Sequence, residues 1–295
     1  MLLSVVIPVY NTRPYLEQLI GSFHAQTAQN FELIVVNDAS TDGSGAFLHE
    51  MATTTPWIHY FDRPHTGLSA ARNFGLSHCR GDVIALADSD DWVSETYVED
   101  TLRPFRQTDC QWTMRPVYLV FEDGIFINQA RYDETVTTQD AAGCFIKADT
   151  VEERLRWWPS VWNKAFRREM IMRNWFDEGM LFEDHAFNIR NYALESCFLA
   201  LPKPLYYHRR ERAGQITAQA GAINLQIFRC FDLWEKSIRN LTITDKPAYL
   251  QGLTERLFNE RINTLGTSAE RVDFQTRFRE WKKVRNQPSM AGKAY

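Results

Sequence analysis

Several things are scarce in this 295-residue chain, and each scarcity removes a class of explanation. No apolar run approaches the ~20 residues that span a bilayer, so the protein is expected to be soluble or at most peripheral. The opening MLLSVVIPVYN is apolar but short and has no basic flank. It reads as a first buried strand rather than a signal peptide. The five cysteines (Cys79, Cys110, Cys144, Cys197, Cys230) are odd in number, scattered, and without a CxxC pair. That argues against a zinc knuckle or a dithiol motif and fits reduced thiols in the cytoplasm. An excess of one charge is missing too: Lys and Arg total 33 against 37 Asp and Glu, a net of −4. No nucleic-acid partner is expected, and any phosphate site must be made locally. Neither GxGxxG after the first strand nor GxxxxGK followed by Ser or Thr occurs, which sets aside Rossmann dinucleotide and P-loop chemistry.

What is present in the first hundred residues is a regular alternation of strand and helix signals. SVVIPV (Ser4–Val9), FELIVVND (Phe31–Asp38), IHYFDR and DVIALAD (Asp82–Asp88) read as strands. Between them lie helical patterns: Leu16, Leu19, Ile20 and Phe23; then Phe47 and Leu48; then Leu68, Ala71, Gly75, Leu76 and Cys79. Strands without polar alternation, separated by helices, predict an α/β fold with a parallel sheet covered on both faces. Ligands of such sheets bind beyond the carboxyl ends of the strands, which puts Asn11, Asp38 and the Asp88–Asp91 cluster on one rim.

Further on, CQWTMRPVYLVFEDGIFINQA predicts strands turning at Asp123-Gly124. A helix is expected to open at FEDHAFNIRNYALES, and CFLALPKPLYYHRRER reads as a last strand running into a basic loop. From about Gly221 the pattern is helical, with no repeat and no low-complexity linker.

The stretch IALADSDDWV poses the chemical question, because three carboxylates (Asp88, Asp90, Asp91) crowd the end of an apolar strand. Their mutual repulsion is costly unless a positive partner sits among them. A hard divalent cation, Mg2+ or Mn2+, fits best, since it prefers carboxylate oxygens and keeps positions open for phosphate. In extended geometry Asp88 and Asp90 share a side, so the ion is held by that pair or by Asp90 and Asp91. The plain alternative is a solvated loop or a helix N-cap before WVSETYVED. A haloacid-type phosphatase also uses two aspartates at i and i+2, but on its first strand, and here that strand ends in PVYN.

Six strings occur in order: SVVIPVYN, VNDASTDGS, GLSAARNFGL, ALADSDD, VWNKAFRRE and GMLFEDHAF. Together they resemble the inverting glycosyltransferases of family 2, with the GT-A fold, from about Ser4 to Thr217. The resemblance implies a mixed, mainly parallel sheet in a domain over 1–215, divided into a nucleotide-binding half (1–125) and an acceptor and catalytic-base half (126–215). A helical C-terminal extension would follow over 216–295. It also implies a nucleotide-diphosphate sugar donor, most often UDP-linked, with Mn2+ or Mg2+ across the diphosphate. A hydroxyl of a glycan or lipid-linked molecule would be the acceptor, typically in surface polysaccharide assembly at the inner face of the membrane.

Residue by residue, Asp38 matches the acidic group that accepts from the base, while Pro8, Tyr10 and Asn11 match the strand end lining the nucleotide. Arg72 and Asn73 match the element that reaches nucleotide or phosphate oxygens. Asp88 and Asp90 match the metal motif, with Asp90 the direct ligand and Asp88 nearer the ribose. Asp184, in Phe182-Glu183-Asp184-His185, aligns with the catalytic base; a lone helix-terminal carboxylate is the alternative. In the basic loop, Arg212 or Arg209 is a candidate phosphate clamp and His208 a further metal ligand, although AGQIT departs from the family's usual continuation. Trp162, Asn163 and Lys164 are expected to border the acceptor pocket, whereas Trp157 and Trp158 read as core.

The segment RVDFQTRFREWKKVRNQ has Phe274, Phe278 and Trp281 as one apolar stripe with basic flanks. It can lie on an anionic membrane, cover the main domain, or join a second subunit. Two rival functions remain open: a metal-dependent nucleotidyl- or phosphotransferase, and a non-catalytic sugar-nucleotide binding module.

Overall fold

The structure, a computed structural model, describes residues 1–122, 124, 126–128, 136–138, 160–180, 182–192, 198–210, 227–239, 250–252, 254–255, 258–259, 262, 265 and 267–285. The chain forms two compact units, Met1–Ala213 and Gly214–Tyr295.

The first unit is built on an eight-stranded sheet in the order β3 (Ile58–Arg63), β2 (Phe31–Asp38), β1 (Leu3–Val9), β4 (Val83–Leu86), β10 (Lys164–Arg167), β6 (Trp112–Met114), β11 (Phe198–Ala200) and β9 (Val136–Thr138). Its heart is β1 (Leu3–Val9) and β2 (Phe31–Asp38), in which every residue is buried. These runs are apolar on both sides because helices cover both faces, as unalternating strands require. β1 pairs in parallel with β2 and β4 (Val83–Leu86), and β2 pairs in parallel with β3 (Ile58–Arg63). The crossovers are α1 (Arg13–His24), α2 (Ser44–Thr54) and α3 (Leu68–His78). Leu16, Leu19, Ile20 and Phe23 are the buried face of α1, as their spacing predicts. α3 sits so close to β1 that a Cβ on Gly75 would come within 2.4 Å of Val6 Cγ1.

Beyond β4 the sheet turns mixed. β10 (Lys164–Arg167) runs antiparallel between β4 and β6 (Trp112–Met114), with Ala165 opposite Ala85. That register carries the residues before Ala165 back alongside the chain that leads from β4 into the acidic cluster. β11 (Phe198–Ala200) and β9 (Val136–Thr138) complete the edge.

A second sheet is absent from the sequence reading. It has the order β5-β12-β7-β8, from Trp92–Val93, Tyr206–Arg209, Tyr118–Val120 and Phe126–Asn128. β7 and β8 pair antiparallel around Gly124, as expected, but β6 belongs to the other sheet. The single strand expected over CFLALPKPLYYHRRER is two strands in different sheets. Pro202 and Pro204 lie between them, and a residue without an N–H cannot continue a ladder. The remaining helices of this unit are α4 (Tyr97–Gln107), α5 (Arg168–Ile171) and α6 (Glu183–Tyr192).

In the second unit, α7 (Ile227–Arg239) and α8 (Ser268–Arg285) are the long helices among the described residues. Phe274 and Phe278 are buried, stacked on Phe258 at ring-centroid distances of 5.2 and 4.1 Å. Phe231 packs against Phe278 and Trp281. This corrects the membrane-surface reading of the stripe, because its apolar face is already taken up within the unit. No helix among the described residues is long and apolar enough to cross a membrane.

Candidate active site

The carboxyl ends of β1, β2 and β4 open on one rim, and the backbone there is strained. Among the described residues three non-glycine positions have positive φ: Asn11 (52°), Ala39 (60°) and Phe182 (61°). They sit at the ends of β1 and β2 and immediately before α6, and such strain collects at functional sites.

Asp88, Asp90 and Asp91 do not continue as a strand. The Asp91 N–H donates to the Asp88 carbonyl at 3.3 Å, so the chain turns. The extended backbone assumed for Asp88–Asp90 is thereby corrected, and in place of one pair or the other, oxygens of all three aspartates lie within 4.8 Å of one another. The alternative of a helix N-cap is set aside, since β5 intervenes and α4 starts at Tyr97.

The three carboxylates have different neighbours. Asp88 Oδ1 accepts from Arg72 Nη2 at 2.9 Å. Asp91, 1% exposed, accepts from the Tyr206 hydroxyl (2.8 Å) and the Arg209 N–H (2.8 Å), and lies 3.0 Å from His208 Nδ1. Burial opposes a charged His208 imidazole, but Asp91 outweighs it and holds its pKa above the usual histidine value. Asp90 is buried between them in sequence. A cluster of hard oxygen donors beside an imidazole is a donor set that fits Mn2+ or Mg2+.

Arg72 is the hub. Its buried guanidinium donates to Glu183 Oε1 at 2.5 Å as well as to Asp88, and lies over the Phe176 ring at 5.3 Å. Burial alone would weaken its charge, yet Asp88, Glu183 and Asp184 together raise its pKa. One cation thus ties the end of β4 to the start of α6, with Glu183 lying 111 residues from Arg72 in sequence. Next to it, burial and then the Glu183 charge push the Asp184 carboxyl up to about 7, against the pull of Arg72 and the His185 N–H. A carboxylate with that pKa changes protonation state near neutral pH, as a general base must.

Other expected site residues are engaged within the protein. Asp38 Oδ1 accepts from the Thr66 N–H and hydroxyl and Oδ2 from the Gly67 N–H, while His65 Nδ1 lies 2.9 Å from Oδ2 and 3.2 Å from the Asp38 carbonyl oxygen. Asn73 braces the loop before α6 through Phe176 and Glu178. Asn11 accepts from the Thr41 N–H at 2.8 Å, and Pro8 is buried within β1. Tyr10 is 50% exposed and stacks on His65 at 4.5 Å, leaving an aromatic face at the rim.

Trp162 is buried, with its ring on Tyr206 (5.2 Å) and His208 (4.5 Å), so it steadies the site rather than lining an open pocket. Lys164 is buried as well, donating to the Ser160 carbonyl and Asn163 Oδ1, and burial pushes its ammonium down to about 7. Arg209 lies over Tyr15 and Trp92 and donates to the Asp90 carbonyl and Gln18. Arg212, Trp157 and Trp158 lie outside the described residues.

A model of glycosyl transferase family 2 matches residues 4–198, about two thirds of the chain. The chain belongs to glycosyl transferase family 2. It is 32% identical over 213 residues to glycosyltransferase GlyA of Streptococcus pneumoniae, covering 70% of this chain and 30% of GlyA. Over 142 residues it is 30% identical to the putative teichuronic acid biosynthesis glycosyltransferase TuaG of Bacillus subtilis, covering 48% of this chain and 56% of TuaG. The chain therefore spans less than two thirds of either relative.

Among solved structures, residues 1–349 of S. aureus TarS in complex with UDP-GlcNAc superpose with a TM-score of 0.72 at 21% identity. That match covers 88% of this chain and 73% of the other. A mannosyltransferase from Pyrobaculum calidifontis in complex with GDP-Man and Mn2+ gives 0.57 at 16% identity, covering 96% and 82%. These neighbours establish the GT-A fold of this family 2 chain.

Three features of this candidate site escaped the sequence reading: Glu183 as the second partner of Arg72, Asp91 as a buried anchor, and Tyr206. Only the last left a signal. In YYHR, Tyr206 and His208 alternate onto one face of a strand.

Proposed function

We propose that the chain is a metal-dependent inverting glycosyltransferase. It moves a sugar from a nucleotide-diphosphate donor, UDP-linked, to a hydroxyl of a glycan or lipid-linked acceptor in polysaccharide synthesis. The observation that carries this reading is the Arg72 bridge. It holds a carboxyl with a pKa of about 7 (Asp184) beside a hard-donor cluster at the end of β4. The UDP-GlcNAc and Mn2+ named for the structural neighbours, and the teichuronic acid named for TuaG, support the donor, ion and acceptor classes.

Asp90 and His208 Nε2 would hold Mn2+ or Mg2+, with Asp88 alongside. When bound, the ion neutralises charge that develops on the leaving diphosphate. The chain's own residues do the rest. Asp184 accepts the proton of the acceptor hydroxyl as the new C–O bond forms at the anomeric carbon and the bond to phosphate breaks on the opposite face. Such a base contributes about 10²–10⁴-fold. Arg72 fixes Glu183, and thereby the first turn of α6, relative to the acidic turn. Tyr10 offers a face for the nucleotide base.

The test is turnover of UDP-sugars with Mn2+, following UDP release and product. Wild type should turn over at least one donor. Asp184→Asn should keep donor affinity and lose ~10²-fold or more in rate. Near-normal transfer by Asp184→Asn would remove it as the base, and tight nucleotide binding without turnover in wild type would leave only a binding module.

A further inference from the structure

Asp91 is the aspartate that the sequence reading left between two roles, ligand or bystander. A carboxylate has about four acceptor positions, and three around Asp91 are occupied, by Tyr206 Oη, His208 Nδ1 and the Arg209 N–H. All lie where Asp91 is 1% exposed. A cation taking these oxygens would have to strip away buried hydrogen bonds.

The same contacts have another consequence. β12 pairs antiparallel with β5, Tyr206 opposite Val93 and Tyr207 opposite Trp92, so one step further sets His208 beside Asp91. The Tyr206 hydroxyl donates to Asp91 Oδ2 and accepts the Asp88 N–H at 2.9 Å, spanning both ends of the acidic turn. Tyr206 and His208 share a strand face, and the Trp162 indole covers both at interplanar angles of 10° and 22°. Ring plane and ring rotation are fixed together. With Nδ1 turned to Asp91, Nε2 is the nitrogen left for a ligand.

We propose that Asp91 and Tyr206 are positioning residues rather than metal ligands: they form a buried strap that locks the acidic turn to β12 and aims His208 Nε2 at the ion. The inference rests on the metal-dependent reading above. Partners of this kind, one shell removed from an ion, are worth about 10–100-fold in metal affinity.

The experiment titrates Mn2+ into protein saturated with UDP, reading free Mn2+ by electron paramagnetic resonance. Pulsed measurement of the ¹⁴N coupling reports an imidazole on the ion. Wild type should bind one Mn2+ with a nitrogen coupling that His208→Gln abolishes. Tyr206→Phe, which removes one oxygen, should still bind one Mn2+ but about 10–100-fold more weakly, with the nitrogen coupling diminished. Asp91→Asn should behave likewise, whereas Asp90→Ala should lose the ion.

Wild-type affinity and coupling in Tyr206→Phe would overturn the strap. Complete loss of Mn2+ in a folded Asp91→Asn, matching Asp90→Ala, would make Asp91 a ligand and overturn the proposal equally. Absence of Mn2+ binding by wild type with UDP would instead sink the metal-dependent reading and the strap with it. That arm is measured first, so the two failures are distinct.

Discussion

Replacing Asp184 by Asn should make the protein more stable at pH 8 while abolishing its chemistry. The folded-state pKa of this carboxyl is raised from 3.8 to about 7, first by burial and then by the Glu183 charge. Folding therefore favours the protonated form. Asp184 adds no penalty below pH ~4, costs progressively more as pH rises through 7, and then levels off. A rise from 3.8 to about 7 corresponds to a ceiling of about 4 kcal/mol at high pH. Asp184 keeps some contact with solvent, which cuts this to about 2 kcal/mol.

Asn matches the protonated acid in shape and charge, so its advantage over Asp should grow by about 1–2 kcal/mol between pH 5 and pH 8. Urea unfolding of both proteins at the two pH values measures it. The change in midpoint should carry the effect, with the slope unaltered. Equal advantage at both pH values, or a variant less stable at pH 8 than wild type, would mean that Asp184 is not held in a site that resists its charge. The argument for it as a base poised near neutrality would then fail.

The same carboxyl should govern rate. Transfer is expected to fall about tenfold per pH unit below a midpoint near 7 and to flatten above it. Arg72 lowers the Asp184 pKa, so in Arg72→Gln the midpoint should move up; a downward move in the pH–rate profile would contradict the assigned geometry. Gly75→Ala pushes a methyl to within 2.4 Å of Val6 Cγ1 and should cost about 1–3 kcal/mol in denaturant unfolding. In the second unit, Phe278→Ala removes a ring packed on Phe258 and Phe231 and should cost about 3–5 kcal/mol. Unchanged calorimetric unfolding would show that the stripe faces elsewhere.

The first four strands and three helices were legible because each β–α unit is locally complete. β1 and β2 are buried at every residue and carry the unalternating runs VVIPV and LIVV, and α1 repeats Leu16, Leu19, Ile20 and Phe23 on one face. The second sheet was not legible. Its strands are two to four residues long, too short for a period to register; the β7–β8 hairpin was expected from its turn, but β5 and β12 gain definition only by pairing across more than a hundred residues. The acidic turn was misjudged for a related reason: an extended backbone was carried past Leu86, where pairing with β1 ends. The motif placed Asp184 and Arg72 among the site residues, but not the bond from Arg72 to Glu183. Complementary charge gives no address: among the described residues Arg80 pairs with Glu32, Arg103 with Asp100 and Arg190 with Asp177 as readily.

The central claim is that the acidic end of β4 holds a divalent ion that binds together with the nucleotide diphosphate. Calorimetric titration of UDP into wild type and Asp90→Ala, each with Mn2+ and with EDTA, tests it most directly. UDP should bind wild type far more tightly with Mn2+, and that gain should vanish in Asp90→Ala. Equal UDP affinity with and without the ion in wild type, or an undiminished gain in Asp90→Ala, would contradict the account.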